Sequence, residues 1–258
     1  MSAALPCSDD AGLTKLERTI ARFGFDIVSG RYGRQGALPS EAELCGLYEV
    51  SRATLREVIK VLGTKRLIDI QKHRGLFIEP RRRWNYLDTD VLHWALSAED
   101  PYDLIQTLLE TRAVIEPAIA EWAAMRADAS DLAKMEAAVD EMDRCYQDKQ
   151  AFNAADIRFH QALIASAQNF VVEQLGEAIE ALQTAVFDVT YFPDAETKEI
   201  TISQHRQLYD SIRLRKPATA KRISVQMIAG VRSRIDGRYG RSDAPGPAKP
   251  LATLDSAD

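Results

Sequence analysis

The chain has 258 residues, 28% of them charged and 46% hydrophobic, with a formal net charge of −5. That length suits two domains, and a mildly acidic balance, taken alone, argues against a nucleic-acid binder. The charge is uneven, however: residues 1–85 hold 15 Lys and Arg against 10 Asp and Glu, while residues 86–258 hold 18 against 28. A basic front on an acidic remainder fits a protein whose front alone meets phosphates. Cys7, Cys45 and Cys145 are isolated, which argues against a disulfide or zinc-finger framework and for a reducing compartment. No apolar run approaches a membrane span and no signal-peptide layout opens the chain, so a cytoplasmic protein is expected.

In chain order, residues 1–10 read as disordered. Leu16, Ile20, Phe23 and Ile27 make one apolar stripe, predicting a first helix from about Leu13 to Val28. Gly30, Gly33 and Gly36 then form a loop. Ser40 with Glu43 three residues later is a capping-box signature, so a helix starts there and breaks near Glu49 and Val50. Ser51 caps the next helix, whose inward positions are Leu55, Val58, Ile59 and Leu62. Its outward face offers Arg52, Thr54 and Arg56 near the N-terminus, the part of a recognition helix that meets base edges. Two β-type runs follow, Leu67 to Ile70 and Leu76 to Ile78, around the basic tip Lys72-His73-Arg74-Gly75. Residues 11–80 thus predict a winged helix-turn-helix that binds double-stranded DNA. Arg81, Arg82 and Arg83 open a linker, and a phosphate contact there is an open alternative to plain solvated charge.

Beyond Trp84 the pattern is helical, with a linker and junction helix over 81–100 and a bundle over 101–238. Helices are expected near 88–97, 101–127, 130–148, 151–168, 170–192, 195–214 and 217–238. Their starts are marked by Pro101, by Ser130 with Asp131, and by Pro217. Ile105, Leu108, Leu109, Ile115 and Ile119 form one inward face; Ile223, Val225, Met227, Ile228 and Val231 form another. Residues 239–258, rich in Gly and Pro, read as a disordered tail.

Two polar features break the bundle pattern. Asp156 and His160 are four residues apart and point the same way, and His205 sits on a later helix whose inward face holds Ile202, Leu208 and Ile212. A carboxylate and two imidazoles from facing helices can hold a divalent cation such as zinc, nickel or manganese. The alternative is a helix-surface Asp–His pair and an unrelated histidine. Arg112 is the third candidate: its apolar neighbours predict burial, and a buried guanidinium needs an anion, either Glu116 one turn on or a ligand's carboxylate.

The ordered motifs LPSEAEL (Leu38 to Leu44), VSRATLRE (Val50 to Glu57) and the Arg74-Gly75 tip resemble the GntR family of bacterial transcription regulators. That resemblance implies DNA contacts by Ser51, Arg52, Thr54, Arg56, Lys72, His73, Arg74 and Gly75. Many members carry Arg where this chain has Ala42, so one contact is absent here. The helical remainder is similar to the FCD effector domain of the FadR-like branch. It implies a metal held by Asp156, His160 and His205, and an effector carboxylate facing Arg112. A fourth ligand in that branch, a histidine on the last helix, aligns with Gly230. The segments WNYLDTDVLHWAL (Trp84 to Leu96), EPAIAEWAA and AFNAADIRFH narrow the resemblance to regulators of sugar-acid use, with galactonate as the implied effector type. A homodimeric repressor, released from its operator by that acid, is the implied function, with Trp84 to Leu96 as the relay. Two rivals remain at this point: a metal-dependent hydrolase or isomerase on the same three residues, and a DNA binder without an effector.

Overall fold

The computed structural model describes residues 12–33, 36–98, 101–191 and 194–240. Of the segments expected to be disordered, 1–10 and 239–258, residues 1–10 and 241–258 lie outside the described residues, whereas Tyr239 packs its ring against that of Tyr102 at 5.1 Å between centroids.

The front module is built from α1 (Lys15–Val28), β1 (Gly36–Ala37), α2 (Glu41–Tyr48), α3 (Arg52–Thr64), β2 (Ile68–Gln71) and β3 (Gly75–Ile78). Local chemistry sets its helix starts. Thr14 with Glu17 and Ser40 with Glu43 form complete capping boxes, and the Ser51 hydroxyl accepts the Thr54 amide at 3.1 Å. Glu49 ends α2 in the left-handed region, which turns the chain into α3. The strands pair antiparallel in the order β1-β3-β2, with Ile68 opposite Ile78 and Gln71 opposite Gly75. Residues 72–74 therefore make the wing tip, where Gly75 takes φ +101°, a conformation that favours glycine. β1 falls within the stretch expected to be loop; Gly36 and Ala37 join the sheet by pairing with Ile78 and Phe77.

After a 3₁₀ turn at Arg81–Arg83 come α4 (Thr89–Leu96), α5 (Tyr102–Arg126), α6 (Ala129–Arg144), α7 (Lys149–Ser166), α8 (Phe170–Thr190), α9 (Ala195–Arg213) and α10 (Pro217–Arg238). The arginine turn lies beyond the end of β3 away from the wing tip. Arg81 there donates to the Tyr86 hydroxyl at 3.1 Å and Arg83 pairs with Glu79. The α6 start is fixed by Asp128, whose carboxylate and that of Asp131 satisfy each other's backbone amides, two residues before the expected Ser130. Val225, expected to face inward, is 49% exposed on α10, because its neighbours Ile223, Ser224 and Ile228 already fill that helix's buried face.

Three clusters of buried side chains organise the molecule. One fills the front module and extends to Trp84, Val91 and Trp94; a second fills the bundle around Ile119, Met142, Phe159 and Leu208. The third lies between them, where Leu92, Ala95 and Leu96 of α4 pack with Ala181 of α8 and with Ile228 and Ile235 of α10. On its other side α4 is locked to the front module. Lys65, at the end of α3, donates to both carboxylate oxygens of Asp88 and to Asp90 at 2.7–2.8 Å. The Trp94 ring sits where Gly24 of α1 lacks a side chain: a Cβ there would lie 2.2 Å from a ring carbon. Among the described residues no helix is long and apolar enough to cross a membrane.

Candidate effector and metal site

The candidates for DNA contact lie at two places on the front module, the start of α3 and the wing tip. Ser51, Arg52 and Arg56 are exposed at the start of α3, and Lys72, His73, Arg74 and Gly75 are exposed at the wing tip. Thr54 is half-buried, its hydroxyl 2.9 Å from that of Ser51. Arg52 and Lys72 have no ion-pair partner among the described residues. Arg56 is held loosely by Glu41 at 3.3 Å, and Arg74 lies over the Phe77 ring at 5.4 Å. Arg52 and Lys72 are thus cations without an ion-pair partner among the described residues, in a module whose core is complete without them, as a phosphate-binding face requires.

The second site is the opposite case. Asp156 and His160 stand one turn apart on α7, and α9 brings His205 against them. The Asp156 Oδ1 lies 3.0 Å from the His205 Nε2 and 3.7 Å from the His160 Nε2, and one ligand atom from each residue falls within 4.8 Å of the others. Donors around a tetrahedral zinc sit roughly 3.4 Å from one another, so the spacing suits a cation at the centre. The protonation pattern suits it too. His205 Nδ1 is 2.8 Å from the Thr201 carbonyl, which can only accept, so the ring proton sits on Nδ1 and Nε2 presents a lone pair. That Nε2 is buried and lacks a hydrogen-bond partner despite the nearby carboxylate. With the ring neutral, Nε2 and the Asp156 carboxylate are two acceptors 3.0 Å apart, a juxtaposition that a metal ion would reconcile. Phe159 sets its ring against both imidazoles, at 5.6 and 5.0 Å between centroids, and so holds their orientation.

The electrostatics follow from burial. Desolvation holds the His160 imidazole below its usual value, against the opposing charges of Asp156 and Glu116, and so keeps a neutral, ligand-ready ring. Burial alone pushes the Asp156 carboxyl up, but the His205 contact, the two imidazoles when protonated and Arg112 outweigh it, so the carboxyl stays ionised.

A cavity of about 90 Å³ opens beside the three residues, lined by Arg112, Glu116, Tyr146, Gln183, Tyr191, Thr201, Gln204, Ser224, Met227 and Arg234 among others. Arg112 is 6% exposed and lines it, yet its guanidinium is not free. Both partners are buried and the Glu116 carboxylate grips it twice, through Nε and, at 3.2 Å, through an Nη. Of the two arginines in the described lining, the one with an unpartnered buried nitrogen is Arg234 on α10, which is not among the candidates from sequence. Its Nε is buried without a hydrogen-bond partner, and desolvation lowers its pKa against the modest pull of Tyr146 and Asp156. A signal was there: Met227, Val231 and Arg234 continue one inward stripe at helical spacing, which placed a charge on a buried face. Gly230, aligned with the family's fourth ligand, does not line the cavity. Met227, one turn earlier, does; Arg234 lies against Gly230, its Nη1 3.8 Å from where a Cβ would stand. The correction is one of register, since only the packed helix shows which residue faces the metal trio.

Family models agree with this division. The model for bacterial regulatory proteins of the gntR family matches residues 16–78, and the FCD domain model matches residues 107–230. The chain belongs to the GntR family. It is therefore a transcription regulator with an FCD domain and not an enzyme, which removes the hydrolase reading. The galactonate operon transcriptional repressor of Escherichia coli is 45% identical over 225 residues, covering 86% of this chain and 97% of that protein. The Uxu operon regulator of Haemophilus influenzae is 28% identical over 168 residues, 64% of this chain and 60% of that protein. Among solved structures, the Listeria monocytogenes regulator Lar superposes with a TM-score of 0.61 at 21% identity, covering 88% of this chain and 98% of that one, a likeness of fold. The Asp156, His160 and His205 group is consistent with the metal site of an FCD domain.

Proposed function

We propose that this regulator is a cytoplasmic, homodimeric repressor that leaves its operator when a sugar acid of the galactonate type enters the cavity. The observation that carries this reading is the convergence, in one buried cavity, of three metal-ligating side chains and an unpartnered arginine. The relative 45% identical to this chain is a repressor of a galactonate operon, which supports the choice of acid.

Asp156, His160 and His205 would hold the ion, with zinc favoured and nickel or manganese the alternatives for a carboxylate and two imidazoles. When bound, the metal supplies a Lewis-acidic position for an acid's carboxylate and adjacent hydroxyl. Arg234 adds a charged fork for the same carboxylate, and pairing would give its buried Nε an acceptor. Arg112 takes part through Glu116, as the fixed polar end of the cavity.

The exposure of the α3 N-terminus and the wing tip supports the reading of the DNA end. Ser51, Arg52, Thr54 and Arg56 enter the major groove from the N-terminus of α3. Lys72, His73, Arg74 and Gly75 reach the backbone or minor groove, and two copies about one helical turn apart read a pseudo-palindrome. Coupling runs through α4. That helix moves with the front module, because Lys65 and Trp94 tie it there, while Ile228 both lines the cavity and packs in the cluster that holds α4. A ligand that shifts α8 and α10 therefore re-aims the recognition helices. Such coupling is limited to the ligand's differential affinity for the two arrangements, typically ~1–3 kcal/mol.

The test uses the full-length protein and a duplex selected from a randomised library, followed by fluorescence anisotropy. Galactonate should weaken duplex binding by roughly 5- to 150-fold. If galactonate has no effect while another hexonate releases the duplex, the effector assignment is wrong; if no acid acts, the repressor reading fails.

A further inference from the structure

Helices α5 and α10 lie antiparallel along one side of the bundle. Tyr102 and Gln106 donate to Asp236 at 2.9 and 2.7 Å, and Lys221 pairs with Glu121 at 2.9 Å, which fixes their register. In that register Glu110 stands near the level of Arg232, Val114 near that of Ala229, and Ala118 near that of Val225. The sides turned away from the bundle are apolar along their middle. Val114, 77% exposed, continues at helical spacing through Ala118 to Met125, 53% exposed; Ala218, Val225 and Ala229 make the matching line on α10, all three exposed.

Beside these lines the charges divide by helix. Glu110 and Glu121 stand on α5, whereas Lys221, Arg222 and Arg232 stand on α10. The acid of α10, Asp236, is taken by Tyr102 and Gln106, and the bases of α5, Arg112 and Arg126, are turned to Glu116 and to the Ala167 carbonyl. Glu110 is exposed and has no ion-pair or hydrogen-bond partner among the described residues. Arg232, at its level, has a buried Nη2 without a hydrogen-bond partner.

A face that is acidic on one helix and basic on the other is complementary to itself, the condition for a two-fold interface. Two copies can meet face to face about an axis parallel to the helices or about one across them. The crosswise axis lays α5 on the partner's α5, acid against acid, and sends the front modules to opposite ends. The parallel axis lays α5 over the partner's α10 at the same levels, so opposite charges meet. It also keeps both front modules at one end, where Leu104, Ile105 and Ile235 pack with α4. Two half-sites on one duplex require them there. Each helix of the resulting four-helix bundle is antiparallel to its neighbours.

We propose that two copies of this chain join through the outer face of α5 and α10, about an axis parallel to those helices. Glu110 of each chain pairs with Arg232 of the partner subunit, around an apolar seam of Val114, Met125 and Val225. This rests on the homodimer reading above.

Sedimentation velocity of the full-length protein tests it. The wild type should sediment as a dimer. Val114→Arg should raise the dissociation constant roughly 100-fold, because the two-fold places the change in the interface twice. Glu110→Arg and Arg232→Glu should each favour the monomer alone and form a dimer when mixed, since both contacts of the mixed pair again join opposite charges. An ion pair closed within one chain would not be rescued by mixing. A wild-type monomer overturns the homodimer reading and this proposal together. A wild-type dimer that survives Val114→Arg or Glu110→Arg, or charge variants that mixing does not rescue, overturns the interface and leaves the homodimer standing. Should Arg232→Glu fail to fold, Val114→Arg and Glu110→Arg, both at exposed positions, decide the matter.

Discussion

The two ends of this protein place functional residues in opposite ways. On the front module the side chains proposed to meet DNA are exposed: Arg52, Lys72 and Arg74 lie outside a core that Leu55, Leu62 and Leu67 complete without them. In the bundle the functional side chains are the interior. Asp156, His160, His205, Arg112 and Arg234 replace apolar packing, and each must find a partner or remain a desolvated liability. An exposed site can therefore be altered with little effect on folding, whereas the buried one links recognition to stability.

That contrast can be broken most forcefully at the metal. His205→Ala should reduce bound metal, measured by elemental analysis of dialysed protein, from near one per chain to trace, and abolish stabilisation by galactonate in thermal melts. Retention of both would mean that the trio is a hydrogen-bonded core group. Next in size, Arg52→Ala should weaken binding to a selected duplex by about 1–3 kcal/mol, as expected for a lost base contact, with the ligand-induced melting shift unchanged. Lys72→Ala should instead flatten the dependence of log affinity on log salt by about 0.9, the signature of a lost phosphate contact. If Arg52→Ala also removed the ligand-induced shift, the two ends would not be separable.

A fourth substitution probes the seam between them. Gly24→Ala places a methyl group inside the Trp94 ring and should destabilise the protein by roughly 1–3 kcal/mol in denaturant unfolding, since either α1 or α4 must shift. An unperturbed midpoint would show that Trp94 has room to rotate away. The smallest effect belongs to the local signals: Ser40→Ala removes half of a capping box and should cost about 1 kcal/mol, without changing metal content.

How much of this was legible from the chain varies with the range of the interaction. The Ser40–Glu43 box and the Ser51 cap involve neighbours three residues apart, so α2 and α3 were placed closely from sequence. The Asp156–His160 pair shares one helix turn and was equally visible. His205 could be proposed as a partner but not aimed, because its orientation depends on the Thr201 carbonyl and on how α9 packs. Arg112 could not be resolved between an internal and an external anion; the folded chain supplies Glu116. Arg234 went unnoticed because an arginine near the end of a helix ordinarily points to solvent.

Sequence alone determined most helix starts, the wing and the basic front, and it singled out Asp156, His160 and His205 as a candidate group, because caps, periodicity and charge act within a few residues. Tertiary structure decided which arginine is free, which α10 residue faces the trio, and that α4 belongs mechanically to the front module while touching the cavity wall. Those features depend on the rotation and offset of α5, α7, α8, α9 and α10 against one another. Such rotations minimise the packing energy of the whole bundle, and no local stretch of residues encodes them.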